Sequence, residues 1–293
     1  MSYFIAKIKY IIILTSICLF AVACRENTTN PIDEKAIYQD SGKKALVIIV
    51  ENKDLIAFSD ENMFRSYKSV ILPVISDLFG VPADSMKNLT LAEIVEKYGE
   101  TWQVNQIAEA GQNYYDKIIK LNDETATTIC FLDSLKMLSS YGYTIDVVLN
   151  LHGSITSLVF TDESIDIGTL TQKIKSTGIE IRALYQTSCY GKYGLDFWNN
   201  IGLYAVNGAE GLNKITLFSA VYFIQEWISG KTYEEAVYSA YNLEIQKLRT
   251  YNNILPVDLY FLTQETLLNS LQRVAGKDTK ILWENVPAKV VLF

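Results

Sequence analysis

Apolar and polar positions along this chain fall into blocks that switch between a period of two and a period near 3.6. Two blocks have the strand signature, a short run rich in Val, Ile, Leu and Tyr bounded by glycine and polar turns. One covers residues 144–151 and stops at His152-Gly153; the other covers 179–188 and stops at Cys189-Tyr190-Gly191. Residues 45–50 form a continuous apolar run, the pattern of a central parallel strand buried on both faces. Residues 115–121 and 203–206 read as two further strands.

Helical spacing fills the intervals. Phe64, Tyr67, Val70, Ile71, Val74, Ile75 and Leu78 make one stripe, with Pro73 placed to kink it. Residues 91–98 follow Thr90, with Glu93 completing a capping box, and 102–115 continue as helix. A helix over 123–140 is expected to turn Ile129, Leu132, Leu135, Met137 and Leu138 inward. Residues 167–175 read as a short crossover helix ended by Gly178. Helices follow over 215–229, stopped by Gly230, over 233–248, capped by Thr232 and Glu235, and over 263–274. Apolar stretches at 280–283 and 288–293 close the chain. Strands alternating with helices predict an α/β three-layer sandwich on a mostly parallel sheet. Residues 45–293 read as one domain, with 51–113 as a helical insertion after the first strand.

The N-terminus reads as a targeting segment. Lys7 and Lys9 precede an apolar region over 11–22, and Ala21-Val22-Ala23 supplies small residues before Cys24. The apolar run is short for a membrane-spanning helix. Its end resembles the bacterial lipoprotein processing box, which implies signal removal over 1–23 and lipidation of Cys24. Residues 24–44 then make a polar tether. The expected location is a bacterial cell envelope, lipid-anchored on a periplasmic or surface face. Without residues 1–23, which hold two lysines and no acid, the net charge moves from −7 to −9. An acidic chain with no Lys/Arg cluster is a poor nucleic-acid partner. Of four cysteines, Cys130 and Cys189 remain in the folded part. Export permits a disulfide between them, but Cys130 sits in a helical apolar pattern, where a small buried residue is the simpler reading.

The chemistry concentrates at the two strand ends. In open parallel sheets functional groups gather beyond the carboxyl ends of strands. His152, the one histidine in 293 residues, and Cys189 would reach the same edge. A thiol beside an imidazole is a nucleophile–base arrangement, because the thiolate is the reactive species and a nearby His lowers the thiol pKa. Gly153 and Gly191 leave room for a ligand to approach backbone. Other constellations fail. The phosphate-binding loop of Cys-dependent phosphatases needs an Arg at position 195, which is Leu. One His and two usable Cys make no zinc site. No glycine-rich nucleotide loop follows the first strand, at Val50-Glu51-Asn52-Lys53.

The blocks Val147-Val148-Leu149-Asn150-Leu151-His152-Gly153 and Leu184-Tyr185-Gln186-Thr187-Ser188-Cys189-Tyr190-Gly191 resemble the caspase–legumain–gingipain–clostripain superfamily of cysteine peptidases. There, one apolar strand ends in His-Gly and the next in a Cys followed closely by Gly. Val206-Asn207-Gly208-Ala209 and Gly230-Lys231-Thr232-Tyr233-Glu234-Glu235-Ala236-Val237 also resemble bacterial members. The resemblance implies a caspase-like fold, a Cys189 nucleophile, a His152 general acid/base, and an oxyanion hole from the N–H groups of Gly153 and Cys189. Caspases carry Gln two residues before the Cys; here that place is Thr187, which argues against a caspase-like preference for aspartate. Asp146, Asp162, Glu163, Asp196 and Glu210 could build an acidic pocket for Arg or Lys, each standing against a plain reading as a solvated charge. Arg182 alternates along its strand without an assigned place. The expected function is thus a lipid-anchored, monomeric cysteine endopeptidase acting on peptides or proteins. It uses no cofactor, with a Ca²⁺ requirement left open. The alternative is a caspase-like lipoprotein with little or no catalysis that binds or scaffolds surface partners.

Overall fold

The computed structural model describes residues 42–51, 58–213, 216–254 and 264–285. The signal, Cys24, most of the tether and the apolar stretch at 288–293 lie outside the described residues. Among the described residues, no helix is long and apolar enough to cross a membrane.

The chain forms β1 (Lys44–Glu51), then α1 (Phe58–Phe79), α2 (Ala83–Met86), α3 (Leu91–Ile94), a π-helical turn (Val95–Gly99) and α4 (Glu100–Gly111). After β2 (Lys117–Asn122) come α5 (Thr128–Ser140) and β3 (Thr144–Gly153). A hairpin follows, β4 (Ser157–Val159) and β5 (Ser164–Asp166), then α6 (Ile167–Ser176) and β6 (Ile181–Gln186). The chain continues through α7 (Leu195–Asn200), β7 (Ala205–Ala209), α8 (Ser219–Ile228), α9 (Tyr233–Ile254), α10 (Gln264–Ser270) and β8 (Gln272–Ala275). The main sheet runs in the order β2-β1-β3-β6-β7-β8. Every pairing in it is parallel except β7 with β8.

Three layers result from strict alternation along the strands. Ala45, Val47 and Ile49 of β1, with Ile145, Val147 and Leu149 of β3, pack under Phe131, Leu135 and Leu138 of α5 and Leu170 and Ile174 of α6. Leu46, Ile48 and Val50 face the other way, onto Val104 and Ile107 of α4; Ala183 and Tyr185 of β6 meet Phe223 and Trp227 of α8 on that side. Residues 45–50 are fully buried, as an apolar central strand requires. Both capping boxes form: Thr90 N–H donates to Glu93 (2.7 Å) and Thr232 N–H to Glu235 (2.9 Å), with each Glu amide returning a bond to the threonine hydroxyl.

Three sequence expectations change. In α5 the buried positions are Thr128, Phe131, Leu135 and Leu138; Ile129 is 68% exposed and Met137 40%. The inward stripe follows 3-4-3 spacing through Phe131, Leu132 packs partly against the core as expected, and Ile129 and Met137 face out. The helix expected over 215–229 begins only at Ser219, because the carbonyls of Thr216 and Leu217 are bound by a side chain of α4. The helix expected over 263–274 breaks in two. Its last residues become β8, antiparallel to β7, with Asn207 donating to Gln272 (2.8 Å). A four-residue strand has no local period strong enough to compete with a helical apolar pattern; its partner strand decides it. The segment read as an insertion works as the connection between two parallel strands, with α4 packed on the face of β1 and β2.

Candidate functional site

β3 and β6 are neighbours and parallel, with Leu149 opposite Gln186, and Thr187 N–H extends the ladder to Leu149 C=O at 3.0 Å. Their carboxyl ends therefore leave the sheet side by side, one delivering His152 and the other Cys189. β3 outlasts the main sheet: its last residues pair with the hairpin, His152 opposite Val159 and Gly153 opposite Leu158. His152 is thus held by the hairpin beyond the end of the main sheet. The hairpin had a signal in the sequence, since Leu158, Phe160, Ile165 and Ile167 alternate around Thr161-Asp162-Glu163, and all four are buried.

Gly153 meets the segment that carries Cys189 backbone to backbone. A Cβ on Gly153 would stand 2.8 Å from the Cys189 carbonyl oxygen, 2.8 Å from Ser188 Cβ and 3.4 Å from the Cys189 amide nitrogen. Glycine there is a requirement of close approach, and it puts the amides of Gly153 and Cys189 in one neighbourhood. After Cys189 the chain turns sharply. Tyr190 adopts φ +57°, a left-handed conformation uncommon for a bulky side chain, and its N–H donates to Gly211 C=O at 2.7 Å. The Cys189 thiol lies 3.9 Å from the Asn213 carbonyl oxygen, and Asn213 Nδ2 donates to Thr187 C=O at 2.8 Å.

A buried amide stabilises the next strand boundary. β6 and β7 pair only at Ala183–Ala205 and Leu184–Val206. Beyond that the Asn207 side chain takes over the ladder, accepting from Gln186 N–H (2.9 Å) and donating to Gln186 C=O (2.8 Å). Gln186 Nε2 returns a bond to Asn207 C=O at 2.7 Å. Sequence reasoning missed Asn207, Gln186 and Asn150. The available signal was amides inside otherwise apolar strands, where burial demands partners.

The acidic candidates disperse. Asp146 lies at the amino end of β3, the opposite end from His152, and is 2% exposed. It accepts from both Arg182 Nε (2.9 Å) and Arg182 Nη2, and from the Tyr115 hydroxyl (3.0 Å). The solvated reading of Asp146 is therefore wrong, as is simple alternation of Arg182. Ile145 pairs with Ile181 and Asp146 with Ala183, so Arg182 is the extra residue of a bulge. It turns onto the α8 face, 4.9 Å from the Trp227 ring, and donates to the carbonyls of Trp283 and Asn285. Asp162 accepts from Thr128 N–H at the start of α5, and Glu163 pairs with Lys173. Asp196 is an exposed residue in the first turn of α7. Glu210 precedes the Gly211 that accepts from Tyr190 N–H, but it pairs with Lys192 and Arg273. The Lys192 hydrogen bond outweighs burial and holds its carboxyl below the usual range.

Cys130 and Cys189 are not joined in a disulfide, and Cys130 is half-buried on α5. Among the described residues no three His, Cys, Asp or Glu side chains converge as metal ligands. No protein-family model matches the chain, and no curated protein sequence matches it significantly.

Proposed function

We propose that the chain is a cysteine endopeptidase of caspase-like fold, exported and anchored to a bacterial envelope membrane through Cys24. The observation that carries this reading is the adjacent, parallel pair β3 and β6, which sends the single histidine and a cysteine outside any disulfide to one sheet edge with Gly153 against Cys189. The mixed sheet with helices on both faces is compatible with that fold.

In this reading the Cys189 thiolate attacks the carbonyl carbon of a peptide bond. The oxyanion that forms is met by the N–H groups of Gly153 and Cys189, donors commonly worth ~3–4 kcal/mol each when aimed at developing charge. Protonated His152 gives its proton to the leaving amine as the C–N bond breaks, leaving a thioester on Cys189. Water then attacks the thioester while His152 takes its proton, releasing the acid and the free thiol. The ion-paired state of Glu210 and the distant position of Asp146 speak against an acidic pocket for Arg or Lys built from these two residues.

The test compares the full chain in mild detergent with its Cys189→Ala variant on a pooled peptide library. Cleavage is read by mass spectrometry with and without Ca²⁺. Cleavage by the wild type alone is the expected result. A folded wild type that cuts no peptide in either condition sinks the peptidase reading and leaves the binding or scaffold lipoprotein.

A further inference from the structure

We infer that Gln103, Asn150 and Thr187 are positioning residues that set the pose of Cys189, of Asn213 beside it, and of Thr216 and Leu217. The inference rests on the reading of Cys189 as the nucleophile. The three side chains are all buried, at 0%, 3% and 3% exposure, and they form one continuous chain of hydrogen bonds. Thr187 Oγ1 donates to Asn150 Oδ1 at 2.8 Å, and Asn150 Nδ2 donates to Gln103 Oε1. Gln103 Nε2 donates to the carbonyls of Thr216 (2.9 Å) and Leu217 (3.3 Å). Asn213, a few positions earlier in the chain, has a side chain that returns to Thr187 C=O and a carbonyl that faces the Cys189 thiol. The chain therefore closes on itself through the candidate site.

Its direction is fixed by chemistry. Two main-chain carbonyls can only accept, so the Gln103 amide must present its NH₂ to them and its oxygen to Asn150. Asn150 must then donate to Gln103 and offer its own oxygen to Thr187. Thr187 must spend its hydroxyl proton on Asn150. Reversing any one amide sets oxygen against oxygen in a dry place, where an unmet polar group is most costly. The circuit thus has one favourable arrangement, which is what a positioning device needs.

Its location is equally specific. Asn150 stands two residues before His152 on β3, and side chains at i and i+2 share a strand face. Thr187 stands two residues before Cys189. The Thr187–Asn150 bond is therefore the cross-strand tie directly beneath the two reactive groups. Gln103, from α4, links that tie to Thr216 and Leu217, while Asn213 joins Thr187 to the thiol. A shift in this circuit moves the histidine strand, the cysteine turn and Asn213 together. Small displacements of reacting groups have large effects on rate.

The test uses the full chain in mild detergent and reads alkylation of Cys189 by iodoacetamide as a function of pH, located by peptide mass spectrometry. Thr187→Val keeps the side-chain shape and removes only the hydroxyl; Thr187→Ser restores it; Gln103→Met removes the far end of the circuit. In Thr187→Val and Gln103→Met, the Cys189 alkylation rate at neutral pH should fall by about ten-fold and its profile should move toward that of an ordinary thiol. Thr187→Ser should return to within about two-fold of the wild type. Thermal unfolding of each variant separates loss of fold from loss of pose, and Gln103→Met decides the matter if Thr187→Val does not fold. Folded Val and Met variants with a wild-type profile overturn the inference. A wild-type Cys189 that itself alkylates like an ordinary thiol is a different failure, of the nucleophile, and takes the inference down with it.

Discussion

Gly191 and Gly208 touch backbone to backbone. A Cβ on Gly191 would stand 3.0 Å from Gly208 Cα, and a Cβ on Gly208 would overlap the Gly191 carbonyl and the Lys192 amide. The turn that carries Cys189 is thereby pressed against β7 with no side chain between them. Gly208→Ala should cost about 2–3 kcal/mol, the scale of overpacking where only backbone can yield. The same change should slow Cys189 alkylation in whatever fraction stays folded. Urea unfolding checks the first expectation, and an unchanged midpoint refutes it.

Gly153 makes a second close approach, to Ser188 and Cys189. Gly153→Ala would drive the end of β3 away from Ser188 and Cys189, and on the peptidase reading that disturbs the dyad. Because His152 and Gly153 also pair with β4, the strand end has little freedom to retreat. Peptide cleavage should fall at least ~100-fold, since misplacement near 1 Å is enough for that. The thermal midpoint should fall far less than the activity does. Steady-state kinetics beside a melting curve decides it: equal, small losses in both would mean the contact is ordinary packing.

Asp146 and Arg182 form a buried pair at the other end of the same two strands, at 3% and 1% side-chain exposure. Burial alone would depress the Arg182 pKa, but the Asp146 carboxylate more than offsets it and holds the guanidinium charged. Asp146→Ala leaves that charge unpaired and should cost ~3–5 kcal/mol; Asp146→Leu with Arg182→Met should recover most of the loss. Cys189 alkylation should be indifferent to the double change, because the pair sits at the amino ends of β3 and β6. Urea unfolding of the single and double variants tests this, and a single-variant loss below ~1 kcal/mol would sink it.

The parts of this molecule legible in the sequence are those written in local pattern. Residues 45–50, Thr90 with Glu93 and Thr232 with Glu235 each carry their own signal, and the structure realises each one. The juxtaposition of the ends of β3 and β6 followed from strand order and a crossover of suitable length. What escaped was set by distant partners. β8 exists because β7 offers it an edge. Arg182 leaves its alternation because Asp146, 36 residues away, draws it into a bulge. Gln103 looked like one polar position of a helix, and only the fold brings it to carbonyls more than a hundred residues on.

Glu244, on α9, is fully buried beneath the start of α8 and accepts from Phe218 N–H at 3.0 Å. Burial pushes its carboxyl from an ordinary 4.5 up to about 7, against the pull of that hydrogen bond. A raised folded pKa means that the folded state holds the proton after the unfolded chain has lost it. The stability it brings is therefore full below pH 4.5 and lost as pH rises to about 7. The loss amounts to roughly 3 kcal/mol. Glu210, Glu226, Glu234 and Glu235 have lowered values, so their stabilisation disappears on acidification instead, below the ordinary carboxylate range. Every other titrating group is common to both proteins in a comparison with Glu244→Gln. The advantage of Glu244→Gln over the wild type should grow by roughly 2 kcal/mol between about pH 5 and pH 7.5 and then level off. Urea unfolding at several pH values reads the difference directly. A constant difference across that range would mean that Glu244 ionises like an ordinary surface acid and that its burial is relieved in solution.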